Sequence, residues 1–230
     1  MSDIEVETLP DQSALAVRAA ELVAERLTAA VTARGAAALA VSGGNTPKAF
    51  LAELAGRHLP WDAVHIFQVD ERVAPPGHED RNLTGLQQAL LERAPIPAAN
   101  VHPMPVEEPD LDAAAAAYAE EIRAVTGPEG RLDVVQMGIG DDGHTASWPP
   151  GDPVVDASAD VAVVGPFNGR LRMTLTPPIV NGAEWIMWLV EGETKAAMVS
   201  RLLDGDPTIP ATRVRRHGVT LLADERARPG

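Results

Sequence analysis

Cysteine is absent from this chain. Disulfides, thiol nucleophiles and thiolate metal sites are thereby excluded, while the compartment stays open because cytosolic proteins need no cysteine. No uninterrupted apolar run reaches the roughly 20 residues of a membrane-spanning helix. The N-terminus reads Ser2-Asp3-Ile4-Glu5 where a leader peptide has a basic and then an apolar stretch. A soluble cytoplasmic protein is therefore expected. Basic side chains are also scarce, 19 against 33 acidic ones, and the net charge is -14. Such a chain lacks the electrostatic footprint of a binder of nucleic acid or anionic membrane, and any anionic substrate needs a local exception. There is no Lys-Ser/Thr ending of a P-loop and no Gly-x-Ser-x-Gly nucleophile elbow. With no His-x-x-x-His or clustered His and carboxylate set, no metal is expected.

What is present suits one α/β domain across residues 1–230. Residues 12–33 carry Leu15, Ala19, Leu22, Val23, Leu27, Ala30 and Val31 at helical spacing, with Asp11 or Ser13 to cap the start and Gly35 to end it. Ala37 to Val41 is a short continuous apolar run, as in a strand covered on both faces. The turn Ser42-Gly43-Gly44-Asn45-Thr46-Pro47 follows, with Pro47 in the first turn of a helix capped by Thr46 or Asn45. Further strands are expected at 64–69, 132–137, 161–164, 171–176 and 185–190, and helices at 83–93, 110–125 and 193–203. Strands alternating with helices predict a Rossmann-like, open and mostly parallel sheet with helices on both faces. Trp185 and Trp188 read as core, and Trp148 as pocket wall or packing. His65, His78, His102 and His217 have no supporting constellation in the sequence.

Ligands of an open parallel sheet gather outside the carboxyl ends of its strands. Three apolar runs end in reactive sequence: Val41 leads into Ser42 to Thr46, Val69 into Asp70-Glu71-Arg72, and Met137 into Gly138-Ile139-Gly140-Asp141-Asp142-Gly143-His144. The first turn offers backbone N–H groups, the hydroxyls of Ser42 and Thr46, and the positive end of a helix dipole, which suit a phosphate. A βα turn that binds nothing explains it equally well. Gly138 to Gly143 matches the letters of the dinucleotide-binding fingerprint, but Trp148-Pro149-Pro150-Gly151-Asp152-Pro153 breaks the helix that such a fingerprint must open. His144 is the side chain suited to exchange protons near neutral pH, and Asp141 or Asp142 is near enough to orient it. Arg72, Arg172 and Lys195 are candidate anion contacts, or ordinary solvated charges. Strand alternation puts Arg172, Thr174 and Thr176 on one face and Leu171, Met173 and Leu175 on the other.

These segments, in this order and together with Arg172-Met173-Thr174-Leu175-Thr176 and Lys195, resemble the 6-phosphogluconolactonases, a branch of the glucosamine-6-phosphate deaminase-like family. The resemblance implies a Rossmann-like α/β fold and cofactor-free hydrolysis of 6-phospho-D-glucono-1,5-lactone to 6-phosphogluconate, in the oxidative pentose phosphate pathway. It implies that His144 is the general base and Asp142 its supporting carboxylate. Ser42, Gly43, Gly44, Arg172 and Lys195 would hold the substrate phosphate, Thr46 beside them, with Arg72 at the catalytic rim and Asp70 and Asp141 as further candidates. The implied partner is a small sugar-phosphate lactone, with no nucleic acid and no membrane, the protein being a monomer or a weak homodimer. This chain has Trp148-Pro149-Pro150 where the lactonases usually continue Leu-Phe-Pro, and Arg81-Asn82 where Ser-Asn is common. Ser147-Trp148-Pro149 replaces the stretch in which the deaminases supply a further glutamate, which favours the lactonase. A deaminase-like sugar-phosphate enzyme and a non-catalytic sugar-phosphate sensor are the alternatives.

Overall fold

The computed structural model describes residues 4–228. β1 (Glu5–Leu9) leads into α1 (Gln12–Arg34), which starts where the Asp11 carboxylate accepts from Ala14 N at 2.8 Å and stops at Gly35, φ 82°. β2 (Ala37–Val41) is followed by α2 (Asn45–Ala55), β3 (Val64–Gln68), β4 (Asp70–Arg72) and α3 (Asn82–Leu86). Then come β5 (Val101–His102), α4 (Leu111–Thr126), β6 (Val134–Met137), β7 (Val161–Phe167) and β8 (Arg170–Leu175). α5 (Pro177–Gly182), β9 (Trp185–Val190), α6 (Ala196–Asp204) and β10 (Val219–Asp224) complete the chain. Among the described residues no helix is long and apolar enough to cross a membrane.

Seven strands form one sheet in the order β1-β10-β9-β6-β2-β3-β5, and every pairing in it is parallel. The chain moves outward from β2 to β3 and β5, then returns to lay β6 on the other side of β2 and moves outward again through β9 and β10. The order therefore reverses between β2 and β6, and the crevice outside their carboxyl ends is where such a sheet receives ligands. Every residue of β2 is buried, with Leu39 in the core beneath α1 and α2, and Ala38 and Ala40 in the core that includes α4. Trp185 and Trp188 divide between the same two cores. Each fully buried Leu, Val or Phe contributes about 1.5–3 kcal/mol relative to exposure, so helices on both faces are what makes this sheet stable.

Several expectations are corrected. The strands expected at 161–164 and 171–176 exist, but as an antiparallel hairpin that joins β4 in a separate three-stranded sheet, order β4-β8-β7. In β8 the apolar face is incomplete, since Leu171 is 41% exposed while Arg172, Met173, Thr174 and Leu175 are all buried. Met173 and Leu175 pack in the core, while on the other face Arg172 lines the cleft and Thr174 Oγ1 accepts from Ser147 N at 3.2 Å. α2 is capped by Gly44 and not by the Asn45 or Thr46 side chain, so its first N–H groups are left without a side-chain acceptor. The helix expected at 83–93 is α-helical to Leu86 and then widens to a π-turn over Gln87–Leu91. The one expected at Glu193 starts as a tight 3₁₀ turn, Glu193–Lys195, before α6.

Candidate active site

The loops after β2 and β6 meet at the reversal of strand order. Ser42 N donates to Gln136 Oε1 at 3.1 Å and Ser42 Oγ to the Gln136 carbonyl at 3.0 Å, which ties the first loop to β6. Both donors of Ser42 are thus engaged inside the protein, and the Gly43–Gly44 backbone and the start of α2 are the part of this loop presented to the cleft. Asn82 lies over Gly43 so closely that a Cβ there would meet Asn82 Oδ1 at 1.8 Å; glycine is required by contact. The Asn82 amide donates to the Asp70 carbonyl at 2.8 Å and to Asp70 Oδ1 at 3.0 Å.

On the other loop, His144 Nδ1 meets Asp142 Oδ1 at 2.5 Å, and the same oxygen accepts from His144 N at 3.0 Å. A carboxylate can only accept, so Nδ1 carries the proton and the Nε2 lone pair is free to act as a base. Burial opposes ionisation of Asp142, yet the hydrogen bonds and charge of His144 outweigh it and hold the carboxyl below its ordinary range. The imidazole is also seated by Gly140, whose backbone N donates to the His144 carbonyl at 2.8 Å. A Cβ on Gly140 would stand 2.1 Å from ring atoms of His144. Of the two aspartates, Asp142 orients the histidine. Asp141 faces Lys195 Nζ at 2.6 Å, and that hydrogen bond lowers its affinity for a proton.

The cations come from three elements. Arg72 ends β4, Arg172 lies on β8 and Lys195 precedes α6. Arg172 is 6% exposed; burial and the nearby Arg72 charge weaken its hold on its proton, against the pull of Asp70 at 3.9 Å. Asp70 itself is buried and accepts from Ser147 Oγ at 2.7 Å. His144, Arg72, Arg172, Lys195, Asp70 and the Ser42–Thr46 turn all line one cavity of about 380 Å³, within the usual range for a small-molecule site. Asp141 and Asp142 are not in that lining; they act on it through Lys195 and His144. A recess of about 170 Å³ adjoins the cavity across Asn82 and Arg72 and reaches Lys48 and Arg81.

A sequence model described as glucosamine-6-phosphate isomerases/6-phosphogluconolactonase matches residues 10–222. The chain belongs to this family. The 6-phosphogluconolactonase of Nostoc sp. is 36% identical over 201 residues, covering 86% of this chain and 84% of that one. That of Synechocystis sp. is 35% identical over 231 residues, with 97% and 96% covered. The crystal structure of 6-phosphogluconolactonase from Thermotoga maritima superposes with a TM-score of 0.86 at 26% identity, covering 96% of this chain and 99% of that one.

Other features of this family member were not anticipated from sequence. Glu71 is fully buried and accepts from Arg72 N, Asn82 N, Leu83 N and Gln68 Nε2 at 2.7–2.9 Å. Its counter-charge is Arg81, at 3.1 Å, the residue that departs from the common Ser-Asn pair. Of the two roles that the sequence leaves to Trp148, pocket wall or packing, the structure shows packing: it is fully buried with its indole N–H on the Leu175 carbonyl at 2.7 Å. His65 and His102 do not stand alone: His65 Nδ1 and His102 Nε2 are 2.9 Å apart, and His102 Nδ1 meets Glu121 at 2.7 Å. Sequence showed neither link, because both partners come from elements brought together only by sheet pairing and helix packing.

Proposed function

We propose that this cleft hydrolyses 6-phospho-D-glucono-1,5-lactone to 6-phosphogluconate, the step that opens the lactone in the oxidative pentose phosphate pathway. The carrying observation is the Asp142–His144 couple, with a free imidazole nitrogen, in the cavity that also holds Arg72, Arg172 and Lys195. Family membership and relatives named as 6-phosphogluconolactonases support the same reading.

A lactone is an activated cyclic ester that water opens without a covalent intermediate. His144 Nε2 takes a proton from the attacking water as its oxygen bonds to the lactone carbonyl carbon. The carbonyl π electrons move to oxygen, and this oxyanion is met by a cationic group at the rim, for which Arg72 is positioned. When the tetrahedral species collapses, the ring C–O bond breaks and the imidazolium returns the proton to the departing ring oxygen. Asp142 keeps the imidazole in the productive tautomer and offsets the transient imidazolium charge. The phosphate sits on the Gly43–Gly44 backbone and the N-terminus of α2, with Thr46, Arg172 and Lys195 around it and Ser42 anchoring the turn. The protein is read as a cytoplasmic monomer or weak homodimer. Hydrolysis of lactone generated in place from glucose 6-phosphate, compared with the spontaneous background and with His144→Ala, tests the reading. Acceleration by wild type that is lost in the variant supports it; no acceleration by folded wild type refutes it.

A further inference from the structure

β7 ends at Phe167, next to a tight Asn168-Gly169 turn whose residues have φ 50° and 77°. The β7–β8 register shifts between Val164, opposite Arg172, and Phe167, opposite Arg170. An irregularity of this kind re-aims a side chain, and the two-residue turn pins it. The Phe167 ring is thereby placed against two groups of the cleft. Its centroid is 5.1 Å from that of His144, edge to face at 78°, and the Arg172 guanidinium carbon lies 4.9 Å from it. The Phe167 carbonyl also accepts from Arg172 Nε at 3.2 Å.

Building on the lactonase reading, we propose that Phe167 is a positioning residue that aligns the base His144 with the phosphate-binding Arg172. The chemical argument lies in what phenylalanine lacks. A carboxylate holding Arg172 would compete with the incoming phosphate, whereas a ring face attracts the guanidinium and leaves its terminal N–H groups available. Asp142 already holds Nδ1 of His144; a polar partner on the free Nε2 would compete for the proton that catalysis moves, whereas an apolar ring packs on the imidazole and exchanges nothing. One side chain thus sets both groups without neutralising either, and it comes from the small antiparallel sheet while His144 comes from the parallel one.

The test compares Phe167→Ala, Phe167→Leu and Phe167→Tyr with wild type in the intact chain. It reads kcat and KM for lactone hydrolysis, affinity for inorganic phosphate, the His144 ring resonances by NMR, and Tm. Loss of the cation–ring attraction in the Ala and Leu variants raises KM and the phosphate Kd about 5- to 30-fold. Misplacement of the base lowers kcat in the same two variants, and their His144 resonances move. The Tyr variant retains all four properties. Full function in Phe167→Leu would overturn the proposal, since bulk alone would then suffice, and so would functional losses that follow Tm and not the loss of the ring. Were wild type inactive on the lactone, the lactonase reading would fall. The positioning role would still be decided by phosphate affinity and the His144 resonances: unchanged in Phe167→Leu, they overturn it.

Discussion

Arg72 and Arg172 are direct cross-strand partners in the antiparallel β4–β8 pair, so two guanidinium groups occupy one rim of the cleft. Like charges opposite one another disfavour the fold, and burial adds to the strain on Arg172. Asp70, 3.9 Å away, offsets only part of it. On the proposed reading a phosphate dianion completes the balance, a local exception to the net charge of -14.

Arg172→Ala is accordingly expected to raise KM about 10- to 100-fold, the worth of one or two charge-assisted hydrogen bonds, with kcat changed far less. Arg172→Lys should recover little, because a point charge does not reproduce the planar fork. Steady-state kinetics at several salt concentrations measure this; an Arg172→Ala enzyme with unchanged KM contradicts the assignment.

The base and its orienter should fail together in turnover. His144→Ala is expected to lower kcat on the order of 10²–10⁴-fold with phosphate affinity nearly intact. Asp142→Asn preserves shape but removes the charge that fixes the tautomer, and its loss should fall within the same range. Because these residues act as a unit, the double variant should be scarcely worse than His144→Ala alone. Additive losses would mean that the two act independently.

Gly140→Ala tests the same couple by geometry alone. The added methyl would stand 2.1 Å from the imidazole, so the ring must move. A displacement of about 1 Å costs catalysis on the order of 10²-fold, which predicts a folded protein with low kcat. Circular dichroism and Tm near wild type, alongside that loss, would confirm it.

How far the sequence carried is instructive at particular residues. Ala37 to Val41 and Trp185 to Val190 are legible because strands buried on both faces are continuous apolar runs, and all their residues are buried. β4 was invisible as a strand: Asp70-Glu71-Arg72 is short, charged and without period, and pairs only because β8 arrives from a hundred residues later in the chain. β1 escaped because its residues are mostly exposed at the sheet edge. In the site, the strand-end loops and their chemical groups could be read directly. The choice of Asp142 over Asp141, the clasp of Gln136 on Ser42, the Asn82 lid on Gly43 and the Phe167 ring could not. The first depends on the local turn and on Lys195 taking Asp141, and the other three on which distant segments packing brings together.

Arg81 shows how a departure from a common motif is accommodated. Its side chain is 2% exposed and that of Glu71 is 0% exposed, and Glu71 in turn holds the backbone of Arg72 and Asn82. Breaking a buried ion pair by removing one partner costs about 3–5 kcal/mol. Arg81→Met should therefore lower the urea unfolding free energy by that order. Glu71→Gln should also cost stability, because an amide NH2 cannot accept from the N–H groups that both carboxylate oxygens hold. A loss below about 1 kcal/mol in Arg81→Met, typical of a surface pair, would show that the carboxylate is not dependent on Arg81.

The His65–His102–Glu121 chain links β3, β5 and α4, and predicts a pH response separate from catalysis. Glu121 can only accept, so His102 Nδ1 carries a proton, and the facing nitrogens of His65 and His102 share a single proton between them. Burial, then the neighbouring His102, lowers the proton affinity of His65 below its ordinary value. The unfolded chain therefore binds a proton that the folded protein resists. The corresponding stability is fully present above the unfolded value of about 6.5 and is lost as pH falls through the lower folded value. His65→Gln, neutral at every pH, should remove that component, so its unfolding free energy should fall less steeply than that of wild type between about pH 7 and pH 5. Urea titrations across this interval decide the matter. Parallel curves for the two proteins would show that His65 titrates alike in the folded and unfolded states.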